Sequence, residues 1–347
     1  MKIIVIVTVI LIILGIFWLN QYEYDTEINY HKKLNPKYYK DFTFEMEEKH
    51  KDPYLFNQIE NGKRIAKNSK IVMCCLARNI EKNYINMKNR LEYIGNQFKD
   101  YKIIIVENDS IDYTRDFFVR WSIQNKNVVL LNCMNFGNFF CKLKTQTGYD
   151  YGTTSTNRIY RMAKYREECL NYIKQNLSDY EYMLVVDFDL NGNQCMDGIF
   201  HSLSKEDWDA VFINGHVPVQ GTFGKYTIPY DQMAYADIGT NFDYNINKSK
   251  YLHFLIFIYN MIIHSFKTRY DKRHFIPVKS AFNGFALYKI NSIKDCSYLG
   301  NNLCEHLNLN LQMHKNKKKL YINKLWRGYF HMAGPGSLID ILKTHFK

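Results

Sequence analysis

From Lys70 onward, short apolar runs alternate with longer stretches whose apolar residues recur every three to four positions. KIVMCCLARN (70–79) is a continuous β-prone run ending in polar residues, and IEKNYINMKNRLEYIGNQF (80–98) follows it at helical spacing. YKIIIVENDS (101–110) is a second apolar run, RDFFVRWSIQ (115–124) a second helix and NVVLLN (127–132) a third strand. After an aromatic, glycine-containing loop come the long helix TNRIYRMAKYREECLNYIKQNL (156–177) and the strand EYMLVVDFD (181–189). This alternation predicts an α/β fold with a Rossmann-like, mostly parallel sheet flanked by helices on both faces. Ligands of such sheets bind beyond the carboxyl ends of the strands. Here three of those ends carry polar clusters, Arg78 with Asn79, Glu107 to Ser110, and Asp187 with Asp189, so all three should meet at one rim.

Two stretches break this rhythm. Ile3 to Leu19 carries no charge and has about the length of one membrane-spanning helix. No small-x-small cleavage site follows it, so residues 1–20 read as an uncleaved signal-anchor transmembrane helix. Lys2 precedes the run and acidic residues follow it, a bias that leaves the amino terminus inside. The expectation is a single-pass type II membrane protein with its body in a lumen (ER/Golgi-like) or outside the cell; a secreted protein with a cleaved signal is the alternative. Residues 21–68, polar and without strong period, read as a stem or lead-in, which leaves 69–347 as the main domain. YLHFLIFIYNMIIHSF (251–266), interrupted by His253 and Asn260, is short for a span and reads as a core helix. Its basic flank KTRYDKRH also suits a helix lying on a membrane surface.

Hydrophobic residues make up 46% of the chain and aromatic ones 16%, which excludes a disordered polymer. A formal charge of +12 suits an anionic ligand or surface without choosing among nucleotide, nucleic acid and lipid. The eight cysteines form no CxxC pair, so zinc is not indicated. In an oxidising lumen Cys133 with Cys141, and Cys296 with Cys304, could close small loops, whereas Cys74 and Cys75 belong to an apolar strand and read as free and buried. Asn108, Asn176 and Asn247 head glycosylation sequons, the first of them masked by the rim.

Within that rim, LVVDFDLNG (184–192) carries the sharpest chemistry. Alternation along an extended strand turns Asp187 and Asp189 to the same side. Two such carboxylates can hold Mg²⁺ or Mn²⁺ while leaving positions for diphosphate oxygens. On the helix before them, Arg158, Met162 and Arg166 fall at i, i+4 and i+8, so two guanidiniums share one stripe and can meet phosphate; a solvated basic face is the plainer reading. VKSAFNGFALYKI (278–290) reads as a strand with Asn283 and Gly284 in its middle, where backbone could approach a ligand. CEHLNLNL (304–311) sets Glu305 and His306 at the head of an apolar strand, an acid beside a base. His331 follows in a glycine-rich stretch and could close a metal's coordination.

In this order and spacing, CCLARN, VENDSIDYT, NRIYRMAKYRE, VVDFDLNG, SAFNGFALYK and CEHLNLN resemble the GT-A glycosyltransferases, and among them the capsule-associated α-1,3-mannosyltransferases of fungi and their microbial or viral relatives. The likeness covers about residues 70–335. It implies one GT-A catalytic domain that moves a hexose, mannose favoured, from a nucleotide-sugar donor to a glycan or glycoconjugate hydroxyl, with Mn²⁺ or Mg²⁺ as cofactor. By that resemblance Ala77, Arg78, Glu107 and Asp109 would line the nucleoside pocket, and Asp187 and Asp189 would hold the metal against the diphosphate. Arg158 and Arg166 would neutralise the donor, Asn283 and Gly284 would shape the acceptor side, and His331 would be the third metal ligand by chain position. Glu305 would be the base if configuration inverts, with His306 beside it. Family members often show two glycines where this chain has Asn283 and Gly284, which bears on acceptor identity. Nucleic acid is not expected as a partner. Rival readings are a metal-dependent phosphodiesterase, a nucleotidyltransferase, and a membrane-tethered lectin or inactive transferase relative.

Overall fold

A computed structural model describes residues 39–40, 42–132, 156–221 and 224–331. The chain runs β1 (Tyr39–Lys40), β2 (Thr43–Phe44), α1 (Pro53–Asn68), β3 (Lys70–Ala77), α2 (Tyr84–Gly95), β4 (Asp100–Glu107), α3 (Thr114–Gln124), β5 (Val128–Asn132), α4 (Thr156–Asn176), β6 (Tyr182–Asp187), β7 (Asn191–Cys195) and α5 (Met196–Ser204). It continues through β8 (Ala210–Gly221), β9 (Gly224–Pro229), β10 (Ala236–Asp237), α6 (Lys250–Tyr270), β11 (Phe275–Ser280), β12 (Phe285–Lys289), α7 (Ile290–Ile293), α8 (Glu305–Lys315) and β13 (Leu320–His331).

The central sheet has the order β1-β2-β7-β13-β8-β12-β6-β3-β4-β5. Its half from β6 to β5 is wholly parallel, as the continuous apolar runs of these strands require when both faces are covered. The other half departs from the parallel expectation: β12 runs antiparallel to β6 and β8, and β7 antiparallel to β13, while β8 with β13 and β2 with β7 pair in parallel. Alternation along β3 sends Ile71, Met73 and Cys75 into a core with α1, α2, α3 and α5, and Val72 and Cys74 into a second core with α4, α6 and α8. Cys74 and Cys75 are thus free and buried on opposite faces.

Several sequence expectations change here. The lead-in assigned to 21–68 is, in its second half, part of the folded body. Asp52 caps α1 by accepting from the amides of Tyr54 and Leu55, and Gly62 packs so closely on α5 that a Cβ would meet the Phe200 carbonyl. Lys49 is buried with Asp197 at 2.9 Å and Glu45 at 2.7 Å. The segment 278–290 is two strands joined by a turn at Asn283 and Gly284, both with positive φ (57° and 97°), so the Asn-Gly pair bends the chain. Glu305 and His306 head a helix rather than a strand, because Asn308 and Asn310 are buried with the leucines and are satisfied by hydrogen bonds. Cys296 and Cys304 are free; the Cys304 thiol turns to the Glu305 carboxylate at 3.6 Å. The stretch holding Cys133 and Cys141 and the apolar run 3–19 lie outside the described residues. Among the described residues no helix is long and apolar enough to cross a membrane.

Candidate active site

Because β3, β4, β6, β8 and β13 share one direction, their carboxyl ends share one edge. The backbone there is held in unusual conformations. Of the five non-glycine residues with positive φ among the described residues, Asn79, Asp109 and Asn283 lie at strand ends on this edge, and Asp231 lies just beyond β9. Asn and Asp tolerate that region best, and such outliers gather at functional sites. The loops after β3 and β4 are stitched together: the Asn79 amide donates to Ser110 Oγ at 3.1 Å, and the Ile111 amide to Asn79 Oδ1 at 2.9 Å.

The acidic tip itself is set by parity along β6. Val186 and Phe188 point into the first core, where Phe188 meets Phe118 edge-on, so Asp187 and Asp189 face the side of α4 and α8. The strand ends at Asp187 and Asp189 occupies the following turn. That turn is clamped from beneath by α2, whose Asn83 donates to the Asp189 carbonyl at 3.0 Å. Arg90, fully buried, donates to the Leu190 carbonyl at 3.2 Å and to the Gly192 carbonyl. Gly192, with φ 123°, is required here, since a Cβ would meet the Tyr329 carbonyl oxygen at 2.0 Å.

At the centre lies Arg166, with its side chain only 4% exposed. Its Nη2 donates to Asp187 Oδ1 and its Nε to Glu305 Oε1, each at 2.9 Å, and its guanidinium stacks over Phe282. Tyr230 donates to the second oxygen of Asp187 at 3.0 Å. Burial lifts Asp187 to about 6, with Asp189 and Glu305 adding to the effect of burial and Arg166 opposing it. Asp189 is exposed to solvent, and desolvation by the protein around it raises its pKa against the pull of Arg158 and Arg166. Burial would raise Glu305 too, but the Arg166 guanidinium at 2.9 Å prevails and holds it at about 2. His306, stacked on Phe282 at 3.7 Å, is kept neutral by burial and by Arg166, well below the ordinary imidazole value.

A further carboxylate belongs to this group. Asp231, only partly exposed and with φ 54°, follows Tyr230 and is raised to about 7 by burial, then by Asp187 and Glu305. Nothing in IPYDQM matches a motif; the one signal is an aspartate directly after an apolar strand that ends in proline.

The remaining candidates are distributed unevenly. Ala77 is buried at the tip of β3 and Arg78 is half-buried, its Nε without a partner among the described residues. Glu107 is fully buried and spent on Arg115 at 2.7 Å and on the Ser110 amide at 2.6 Å, so its carboxylate turns into its own loop; Asp109 is the open acid of that tip. Asn283 is fully buried and donates to the Ile213 carbonyl at 2.8 Å, while the Gly284 carbonyl accepts from the Asp187 amide at 3.1 Å. Both support the acidic strand from behind and neither offers a side chain outward. His331 ends β13, its backbone paired with Asn191, two residues beyond Asp189. Its side chain lies outside the description. Asn108 is buried and accepts from the Tyr165 hydroxyl, whereas Asn176 and Asn247 are exposed.

Among the described residues no group of three or more His, Cys, Asp or Glu converges as a ready-made metal cage. The charge balance nevertheless suits a divalent cation. Among the described residues four carboxylates (Asp187, Asp189, Asp231, Glu305) and two guanidiniums (Arg158, Arg166) act electrostatically on one another, so acidic groups outnumber basic ones there. The raised values of Asp187, Asp189 and Asp231 accord with that uncompensated charge and with burial.

No family model matches the chain, and no curated protein does. Among solved structures it is similar to TarS 1–349 of S. aureus, with a TM-score of 0.41 and 13% identity over 80% of this chain. It is also similar to the same protein in complex with UDP-GlcNAc, with a TM-score of 0.41 and 14% identity over 79% of this chain. GalNAc-T7, solved with UDP, GalNAc and Mn²⁺, gives a TM-score of 0.41 and 9% identity over 78% of this chain. The chain spans 64% of the TarS 1–349 chain and 44% of the GalNAc-T7 chain.

Proposed function

We propose that this protein is a metal-dependent glycosyltransferase of the GT-A type, taking a hexose from a nucleotide-sugar donor to a glycan or glycoconjugate hydroxyl. The observation that carries the reading is the coupling of Asp187 and Asp189 to Arg158 and Arg166 at the carboxyl edge of a half-parallel sheet. An excess of acid at the tip of β6, with guanidiniums beside it, suits a ligand that brings both a cation and a diphosphate. The order of sequence motifs supports the same class and favours mannose as the sugar. The apolar run 3–19 supports anchorage as a type II membrane protein facing a lumen or the cell exterior.

In this reading Asp187 and Asp189 would hold Mn²⁺ or Mg²⁺, with His331 as a third ligand, and the ion would supply charge stabilisation for the departing diphosphate. Arg166 orients Asp187 and lends it positive potential, and Arg158 lends positive potential to Asp189. Ala77, Arg78 and Asp109 border the nucleoside side. Glu305, pinned by Arg166 and held at about 2, is too weak a base to take a proton from a hydroxyl and acts as an orienting anion. Asp231 has the raised affinity that general-base work needs and is not spent on an ion pair among those described, so it accepts the acceptor's hydroxyl proton if configuration inverts.

The test is release of nucleoside diphosphate from a panel of nucleotide sugars, with and without Mn²⁺, by the wild type and by Asp189→Ala. Metal-dependent release from one donor, lost in the variant, supports the transferase and identifies its sugar. No release from any donor, even with mixed glycan acceptors present, removes the reading.

A further inference from the structure

Helix α6 carries apolar residues on the side that faces water as well as on the side that faces the core, where Ile256, Phe257 and Met261 are buried. Its inner side carries His253, Asn260, His264 and Thr268, all buried, and it spends hydrogen bonds to keep them there. Asn260 donates to the carbonyls of Gln232 (3.0 Å) and Tyr235 (2.8 Å), and His253 Nε2 lies 3.1 Å from the Asn245 carbonyl. Its outer side is an apolar stripe at helical spacing: Tyr251, Leu255, Tyr259, Ile262, Phe266 and Tyr270. Tyr251 is 70% exposed, Leu255 46%, Phe266 59% and Tyr270 48%. No charged side chain enters the stripe before Arg269. A helix of 21 residues presents this stripe over roughly 31 Å at the usual rise per residue.

Both ends of the helix are basic. Lys248 and Lys250 stand before or at its start, and Lys267, Arg269, Lys272 and Arg273 lie at or beyond its end; three of these six pair with acids, Lys248 with Asp243, Lys267 with Asp237 and Arg273 with Asp271, so the ends keep a net positive charge. A second copy of the chain docking on the stripe would bring like charges together in either orientation, parallel or antiparallel. An anionic lipid surface would meet the same ends favourably, and aromatic residues with a basic rim are what the headgroup boundary accepts. The tether proposed above assists. The apolar run 3–19, on the reading above, would hold the body of the chain beside a bilayer.

We propose that α6 is a membrane-surface helix that lays Leu255 and Phe266 into the headgroup boundary of an anionic bilayer while the sheet stays in water. The test uses the full chain, with Cys133 and Cys141 replaced by serine, reconstituted in phosphatidylcholine vesicles with and without phosphatidylserine. An environment-sensitive fluorophore is placed at Leu255→Cys, at Phe266→Cys and, as a control, at Ile123→Cys, which is 78% exposed on the face of the sheet opposite α6. Lipids with a quencher in the acyl chain should remove most of the emission at 255 and 266 in phosphatidylserine-containing vesicles, and little at 123. Emission at 255 and 266 that is unquenched overturns the proposal. If that emission is also blue-shifted, a protein surface, either a second copy or the amino-terminal segment, covers the stripe instead. Quenching at 123 equal to that at 255 overturns it as well. None of these readouts depends on transferase activity.

Discussion

Replacing Arg166 by methionine tests the electrostatic design of the site most directly. The guanidinium is almost fully enclosed and lies 2.9 Å from both Asp187 and Glu305, so its removal leaves two buried carboxylates facing one another without a counter-charge. Breaking a buried pair in this way costs about 3–5 kcal/mol. A drop in melting temperature of about 6–20 °C follows, nearer the lower figure for a body of this size. The pH dependence carries the sharper signature. In the wild type Glu305 titrates at about 2, below its unfolded value, so its contribution is present above that unfolded value and fades as pH falls toward 2. In the variant Asp187 and Glu305 should titrate above their unfolded values, so they destabilise at neutral pH and the penalty shrinks as they protonate. Thermal melts of both proteins between pH 5 and 8 should therefore converge toward the acid end, and Glu305→Gln added to Arg166→Met should recover part of the loss. A deficit independent of pH, or none at all, would falsify the argument.

Asp231→Asn should leave the fold intact and lower kcat/KM about 100- to 10,000-fold. Wild-type activity should rise with pH through about 7 as Asp231 ionises, and a variant with the same rate or the same profile would dismiss Asp231 as the base. Asn310→Ala removes the buried amide shared by Ser280, Ala281 and Tyr288, and denaturant titration should find about 2–4 kcal/mol lost; a cost under half a kcal/mol would mean that α8 does not depend on it. Gly284→Ala strains a φ of 97° and drives a Cβ to 2.4 Å from Leu190, so it should cost at least about 1–3 kcal/mol, and unchanged stability would refute the turn's rigidity.

The parallel half of the sheet was legible because strands buried on both faces are written as unbroken apolar runs, and β3 to β6 are such runs. The acidic tip was legible for the same reason, as polar letters ending an apolar word. The rest depended on long-range partners. LNLNL looks like an alternating strand, yet in α8 both Asn308 and Asn310 are inside, each satisfied by groups many residues away. Asn283-Gly284 carried a turn signal, and the apolar residues on either side disguised it as mid-strand glycine. Arg90 looks like an ordinary helix charge, and only the carbonyls of Leu190 and Gly192 reveal its task. Asp231 enters the site through β9, whose pairing with β8 no local pattern announces.

The clamp on the acidic turn has a thermodynamic consequence. Asn83 and Arg90 fix the backbone from Asp189 to Gly192 before any ligand arrives. Ordering one residue costs about 1–2 kcal/mol, and for these residues that loss is absorbed during folding, not binding. A cation captured at Asp189 would therefore meet a loop with little freedom left to surrender. Its affinity would be governed by carboxylate charge and water release, and truncating Arg90, far from any ligand atom, would weaken it by restoring that freedom.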